Sequence, residues 1–134
     1  MSITVPPLSL RPAGEPVIRV TAMPADCNAY GDIFGGWLLC QMDLGAGLIA
    51  SRVSRGRAVT IAMDGVQFHK PVKVGDEVSV YGEVRRVGRT SISILIESWR
   101  RDRFQHEAEK VTEAVFTFVA VDDTGRPRPI NEEE

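Results

Sequence analysis

The segment GGWLLCQMDLGAGLIA, residues 35–50, constrains the fold of this chain more than any other part of the sequence. It contains a single charged side chain, Asp43, no proline, and one β-branched residue, Ile49. This pattern predicts a helix over about residues 36–53 that is apolar nearly all round, and such helices are buried. An unpaired carboxylate in a buried helix is costly, and Asp is a poor residue for a helix interior. Asp43 therefore needs an explanation.

The length and composition fit one globular domain in a reducing compartment. The chain has 134 residues, 43% of them hydrophobic and 25% charged, with a net charge of −2. That charge predicts neither a nucleic-acid partner nor a membrane partner. The first ten residues lack the basic start of a signal peptide, and the apolar helix is too short and too glycine-rich to span a membrane. Cys27 and Cys40 show no metal-ligand spacing, so we expect no metal and a cytoplasmic location.

Alternating apolar residues predict strands on both sides of the helix in sequence. The predicted strands cover residues 16–23, 58–68, 77–87, 90–99 and 109–121. Short connections at 88–89 and 100–104 favour antiparallel hairpins. We predict an α+β fold in which one long central helix is wrapped by a curved five-stranded antiparallel sheet. The Pro-rich residues 1–15 and residues 122–134 are expected to be tails, which leaves residues 16–121 as a single domain.

The neighbours of Asp43 on its helix face are mostly small, and two explanations of the carboxylate follow. Helical spacing places these residues on that face: Gly36, Leu39, Cys40, Ala46, Gly47 and Ala50. In the structural explanation, a strand or helix packs closely on the small residues and backbone N–H groups hold Asp43. In the functional explanation, the small residues leave room for a thin ligand beside a base. The pattern alone leaves both open.

The loop before the helix carries a motif that decides between them. The stretch DCNAYGDIFGGWLLCQMD resembles the signature of bacterial YciA-type acyl-CoA thioesterases, which have the hotdog fold. The matching residues are Asn28, Gly31, Asp32, Ile33, Phe34, Gly35, Gly36, Trp37, Met42 and Asp43. The resemblance continues through DGVQFHKPVKVGDEVSVYGEV, GRTSISILIESW and VTEAVFTFVAVDDTGRPRPI, and so covers residues 16–130. The cysteines at 27 and 40 depart mildly from the pattern, and neither replaces a catalytic group.

The resemblance implies an enzyme that hydrolyses acyl-CoA thioesters of a broad range of chain lengths to a free fatty acid and CoA. Asp43 is then the general base, or the nucleophile that forms a mixed anhydride; the sequence does not choose between these roles. The backbone N–H of Gly36, at the helix start, is expected to bind the carbonyl oxygen with help from the helix dipole. Asn28 is expected to orient the water or the carbonyl. No cofactor is expected, because CoA belongs to the substrate and leaves readily as a thiolate.

The resemblance also suggests residues that bind the substrate. Gly35 adjoins the predicted oxyanion donor, and Arg89, Thr90 and Ser91 lie in the GRTS segment that is expected to hold the CoA moiety. Lys70 is a further candidate for the phosphates, since Lys can act as a point charge there. In the alternative interpretation, the basic segments RRVGR and WRRDR bind no substrate and are solvated strand ends. For both histidines, His69 and His106, we expect surface or strand-end positions.

Two other functions are possible for a hotdog domain. A dehydratase or hydratase needs a His acting with a carboxylate at the helix, and here the loop has Asn28 and no His. A non-catalytic acyl-CoA sensor typically carries a DNA-binding module, for which we see no helical extension. Motifs of the GxSxG, GxGxxG and Walker A types are absent from the sequence. The resemblance further implies a homo-oligomer, a homohexamer built as a trimer of dimers, in which Asn28 of one chain faces Asp43 of the other.

Overall fold

The computed structural model describes residues 14–130, which form one long helix packed on an antiparallel sheet. The elements are β1 (Ile18–Thr21), a 3₁₀ turn (Pro24–Asp26), α1 (Gly35–Ser54), β2 (Ala58–Phe68), β3 (Glu77–Val87), β4 (Ser91–Arg101) and β5 (Ala108–Ala120). The strand order is β1-β3-β4-β5-β2, and every neighbouring pair is antiparallel. The predicted α+β fold of one helix and five antiparallel strands is confirmed, with element ends within two residues of those expected.

Helix α1 is covered by the sheet on one side only. Its buried residues are Leu38, Met42, Gly45, Ala46, Ala50 and Ser54. On its other side Leu44 is 56% exposed and Leu48 is 44% exposed. The prediction of a helix buried nearly all round is therefore wrong for the single chain, because the sheet covers only the side of the helix that faces it. The uncovered side is nevertheless apolar.

Strands β4 and β5 supply most of the core beneath the helix. Ile92, Ile94 and Ile96 are fully buried on the inner face of β4, as the period of two in the sequence predicts. In β5 they lie opposite Phe118, Phe116 and Ala114, respectively. Each buried isoleucine contributes about 1.5–3 kcal/mol relative to an exposed one, so this layer fixes which face of the sheet meets the helix.

Two glycines let the helix approach the sheet closely. A Cβ atom at Gly45 of α1 would lie 2.7 Å from Val17 Cγ1 and 3.1 Å from Val80 Cγ1. A Cβ at Gly82 of β3 would collide with the side chain of Ile49 in the helix. Because neither glycine has a side chain, Val80 of β3 packs against the helix backbone at Gly45, and Ile49 of the helix packs against the backbone of β3 at Gly82.

Residues 122–130 fold back onto the domain instead of forming part of a tail. Ile130 is 9% exposed and belongs to the core cluster. The Arg128 guanidinium donates to the carbonyl oxygens of Ser54 at the helix end (3.0 Å) and of Val121 (2.9 Å). A boundary at residue 121 is therefore too early, because these long-range contacts hold the next nine residues on the core. Residues 1–13 and 131–134, also predicted to be tail, lie outside the described residues.

Candidate active site

The loop before α1 is shaped by Asn28. Its side-chain Oδ1 accepts hydrogen bonds from the backbone N–H groups of Tyr30 (2.8 Å) and Asp32 (3.1 Å). Its own N–H donates to the Asp32 carbonyl at 2.6 Å, and Gly31 adopts φ +84° in the turn between them. The amide oxygen is thus used to hold the loop. Within residues 14–130 the Nδ2 group has no protein partner, so its N–H groups are the ones that can face a substrate.

The start of α1 presents free backbone N–H groups. Trp37 and Leu38 both donate to the Phe34 carbonyl, and within residues 14–130 the N–H groups of Gly35 and Gly36 have no protein acceptor. The first turn has no acidic residue, and Phe34 gives no side-chain cap. A Cβ at Gly36 would meet nothing within 4 Å, so the space in front is open. A helix N-terminus of this kind can bind an anion or a developing oxyanion.

Asp43 lies farther along the same helix and is half-buried. Its Oδ1 accepts a hydrogen bond from Thr60 Oγ1 of β2 at 2.6 Å. Within the described part of the chain no backbone N–H group binds the carboxylate, so the geometry of the structural explanation is not observed. Thr60 was missed in the sequence, although the alternation of β2 places its side chain on the helix-facing side.

The small residues around Asp43 have different environments. Ala46 and Ala50 are fully buried against the sheet, and a Cβ at Gly47 would lie 3.9 Å from the Phe118 ring. Cys40, one turn before Asp43, is exposed. The C-terminal half of this face therefore serves close packing, and only the half nearer the helix start is open to a ligand.

An open cleft of about 350 Å³ borders the start of the helix. It is lined by Ile33, Gly35, Leu38, Phe68, His69, Lys70, Pro71 and Val72. The lining is mostly apolar, while His69 and Lys70 add polar, basic groups to it. The Phe68 ring lies 3.2 Å from the position that a Cβ of Gly35 would occupy. The structure thus brings Gly35 and Lys70 together, and His69 lies at the end of a strand as expected.

Arg89, Thr90 and Ser91 lie at the opposite end of the sheet. Ser91 pairs with Val119 of β5, whereas Ser98 is aligned with Thr112 and, through it, with Phe68 beside Gly35. Seven residues of strand separate these two rows, which corresponds to about 23 Å. Within one chain the predicted CoA-binding segment is therefore remote from the helix start.

Gly36 and Asp43 are also separated within one chain. Seven residues of helix correspond to about 10 Å along the axis. A carboxylate attacks a carbonyl from about 3–3.5 Å, so Asp43 cannot directly attack a carbonyl held by the Gly36 N–H of its own chain. An intervening water or a second chain is needed to connect them.

Across residues 14–130, no three His, Cys, Asp or Glu side chains are grouped so that they could hold a metal ion. No helix in this part of the chain is long and apolar enough to cross a membrane.

Residues 30–104, more than half of the chain, match the thioesterase superfamily. The chain belongs to this superfamily, in its YciA-type group. The acyl-CoA thioester hydrolase YciA of Escherichia coli K12 is 47% identical over 122 residues, which is 89% of this chain and 92% of the relative.

Solved structures of thioesterases are also similar to this chain in sequence and fold. A hexameric thioesterase from Yersinia pestis is 50% identical with a TM-score of 0.85, covering 92% of this chain and 100% of that one. HI0827, a hexameric broad-specificity acyl-coenzyme A thioesterase, is 46% identical with a TM-score of 0.85, over 92% and 86% of the two chains.

Proposed function

We propose that this chain hydrolyses acyl-CoA thioesters of a broad range of chain lengths, releasing a free fatty acid and CoA. The observation that carries the proposal is the uncapped helix start at Gly35 and Gly36, which opens onto an apolar cleft next to Lys70. An acyl thioester of CoA combines an apolar chain, a polarisable carbonyl and an anionic carrier, and this arrangement complements all three. The YciA hydrolase of E. coli and the broad-specificity HI0827 support the same reaction.

In the proposed mechanism the Gly36 N–H holds the thioester carbonyl oxygen and stabilises the negative charge that develops there. Asp43, oriented by Thr60, removes a proton from the attacking water, or attacks first and forms an anhydride that water then opens. Asn28 orients the water or the carbonyl through its Nδ2 group. The C–S bond breaks, and CoA leaves as a thiolate without needing a strong acid. The reaction needs no resident cofactor.

We further propose that the enzyme is a homodimer whose two active sites are shared, and that dimers assemble into a hexamer. Three features support sharing: the 10 Å between Gly36 and Asp43 along one helix, the remote GRTS segment, and the apolar uncovered side with Leu44 and Leu48. A second helix facing this side brings Asp43 of one chain to the helix start of the other. The thioesterase from Y. pestis and the thioesterase HI0827 are both hexameric.

Arg89, Thr90 and Ser91 are proposed to hold the CoA moiety of a substrate bound at another chain's helix start, with Lys70 near the phosphates. Arg89 is exposed and free to take that role. A cytoplasmic location is proposed as well, and the two free thiols at Cys27 and Cys40 are consistent with a reducing compartment.

The test is a panel of substrates from acetyl-CoA to palmitoyl-CoA, with release of CoA thiol followed by a thiol-reactive dye. We expect turnover of several chain lengths, with kcat/KM rising while each added methylene finds apolar surface, at about 0.8 kcal/mol per methylene. Asp43→Asn should abolish turnover and leave the melting temperature unchanged or higher, because it removes the charge and keeps the shape. Asp123→Asn, a matched change at an exposed site in the C-terminal turn, should leave the rate unchanged.

Near wild-type turnover by the Asp43→Asn variant would make Asp43 a structural residue and refute the proposed mechanism. Binding of acyl-CoA without turnover by the unmodified protein would instead support a non-catalytic sensor. Hydration of an enoyl-CoA, followed by the loss of its ultraviolet absorbance, would support the hydratase alternative.

A further inference from the structure

A buried ion pair lies behind the active-site loop, and the mechanism above does not use it. Asp76 is 3% exposed, and its Oδ2 accepts hydrogen bonds from Arg100 Nε at 2.7 Å and from the Lys73 N–H at 2.9 Å. Arg100 also pairs with Glu109. The hydrogen bond to Asp76 raises the pKa of Arg100 above its usual value, against the lowering effect of burial. Arg100 is therefore a permanent cation clamped between two carboxylates.

The ion pair holds one turn, residues 73–76, in place. The Asp76 N–H donates to the Lys73 carbonyl at 3.0 Å, and Gly75 adopts φ +95° so that the turn can close. Ala22, just after β1, accepts from the Gly75 N–H at 2.8 Å and donates to the Asp76 carbonyl at 2.9 Å. The turn is thus tied to β4 through Arg100 and to the end of β1 through Ala22.

The same turn supports the loop that carries Asn28. The Ile33 N–H donates to the Val72 carbonyl at 3.0 Å, and Asp32 pairs with Lys73 in an isolated antiparallel bridge. The Lys73 ammonium lies 3.5 Å from Asp32 Oδ1. Because Asp32 is also the residue that exchanges hydrogen bonds with Asn28, an unbroken series of contacts joins the ion pair to the Asn28 side chain.

We propose that Asp76, together with Arg100, is a positioning residue for Asn28. The pair fixes turn 73–76 as the platform on which loop 28–33 lies, and it thereby sets where the Asn28 carboxamide points. This inference rests on the proposed function, because it assigns Asn28 a part in thioester hydrolysis. A displacement of about 1 Å at a catalytic group can lower a rate by about 100-fold, so a loosened platform lowers kcat while the cleft still binds substrate.

The first test compares two neighbouring ion pairs, one that joins turn 73–76 to β4 and one that joins β3 to β4. Asp76→Asn keeps the shape and can still accept from the Lys73 N–H, but it removes the charge opposite Arg100. The matched control is Glu77→Gln, because Glu77 pairs with Arg101 at 2.6 Å and, among the described residues, neither makes a hydrogen bond or ion pair with loop 28–33. We expect kcat to fall about 10-fold in Asp76→Asn, with KM within about twofold of wild type. In Glu77→Gln both constants should be unchanged. An equal fall in both variants would mean a general loss of sheet order and would overturn the proposal.

The second test does not depend on activity. Tyr30 and Asp32 donate their N–H groups to Asn28 Oδ1, so their hydrogen exchange reports the state of the loop. We expect both amides to exchange about 10-fold faster in Asp76→Asn, while Met42 in the middle of α1 keeps its wild-type rate. Unchanged exchange at Tyr30 and Asp32 would overturn the proposal. If the wild-type protein has no thioesterase activity, the proposed function fails, and this measurement still decides whether the ion pair positions the loop.

Removing one partner of a buried ion pair can unfold a protein, and Arg100→Lys covers that case. Lysine keeps the cation but lacks the fork that reaches Asp76 and Glu109 at once. We expect the same pattern in kcat and in exchange, with a smaller amplitude. A folded Arg100→Lys variant with wild-type kcat and wild-type exchange would overturn the proposal whatever Asp76→Asn does.

Discussion

At the scale of single residues, the environment of Asp43 matters more than its burial. The sequence raises the problem of a carboxylate in an apolar helix. In the structure Asp43 is half-buried, and among residues 14–130 it has one hydrogen-bond donor, Thr60. A single strong hydrogen bond orients the carboxylate without neutralising it. Within residues 14–130 the other oxygen accepts no hydrogen bond, which suits the base or nucleophile that we propose Asp43 to be.

Thr60→Val should separate this orienting role from folding. The two side chains have nearly the same shape, so the strand keeps its packing and the melting temperature should change little. A hydrogen bond to a charged group contributes about 1.5–3 kcal/mol, and we expect kcat for acyl-CoA to fall at least about 10-fold.

Thr60→Ser is the matched control, because it keeps the hydroxyl and should retain most of the activity. Wild-type kcat in Thr60→Val would show that Asp43 is oriented by something else.

At the scale of elements, strands β4 and β5 carry a charged cluster beside the end of β2 that leads to His69. Glu97 of β4 lies directly opposite Glu113 of β5, and Lys110 is 2.6 Å from Glu113 and 3.5 Å from Glu97. The hydrogen bond from Lys110 lowers the pKa of Glu113 below its usual value, against the raising effect of partial burial. The positive charge of Lys110 thus offsets the repulsion between the two facing carboxylates.

Lys110→Met should lower the free energy of unfolding at neutral pH by less than about 1 kcal/mol, as is typical of a partly exposed ion pair. The melting temperature should fall accordingly. In wild type the folded pKa of Glu113 is lowered, so its contribution is present above the unfolded pKa and is lost as the pH falls through the folded pKa. In the variant the two glutamates repel each other, and their protonation relieves that repulsion.

The difference in melting temperature between the two proteins should therefore be largest near pH 7 and shrink as the pH falls below about 4.3, the ordinary pKa of a glutamate. Thermal unfolding monitored by circular dichroism across this range is the measurement. A difference that stays constant with pH would contradict the assigned role of Lys110.

The elements could be predicted from the sequence because their signals are local. The alternation of isoleucines in β4 and the β-branched residues of β2 specify strands without reference to the rest of the chain. The burial of Ile130 could not be predicted, because it depends on Arg128 reaching the helix end. The separation of Gly35 from Ser91 was missed because it depends on strand order, which no local pattern encodes. For Thr60 the alternation of β2 indicates the helix-facing side, but not that Asp43 lies opposite it.

At the scale of the whole molecule, the residues proposed for the active site are not brought together within one chain. Asn28 and the Gly36 N–H lie at the helix start, Asp43 lies two turns farther on, and Arg89 lies at the other end of the sheet. Within residues 14–130 the apolar side of α1 with Leu44 and Leu48 is uncovered. The second copy of the chain that we propose against this side would account for both facts.

Mixing two inactive variants tests the shared site. Asn28→Ala and Asp43→Asn are each expected to be nearly inactive. After reversible dissociation and random exchange, half of the dimers are mixed, and each of these has one intact site and one doubly mutated site. About a quarter of wild-type activity should therefore return.

Differently tagged subunits verify that exchange took place. If the mixture stays as inactive as its components after verified exchange, both residues act in one chain and the shared site is wrong, while the assignment to the thioesterases is unaffected.

The strand order has a consequence for how the protein is made. β5, the last strand in sequence, lies between β4 and β2, so the sheet cannot close until residues 108–120 have left the ribosome. At about 5–20 residues per second, roughly 3–10 s pass between the synthesis of Phe68 and that of Ala120. During this time α1 and β2 have no completed sheet to pack on. During this interval the nascent chain is most prone to aggregation, because the apolar segments of α1 and β2 are exposed. A chaperone that binds apolar segments has most surface to bind at that time.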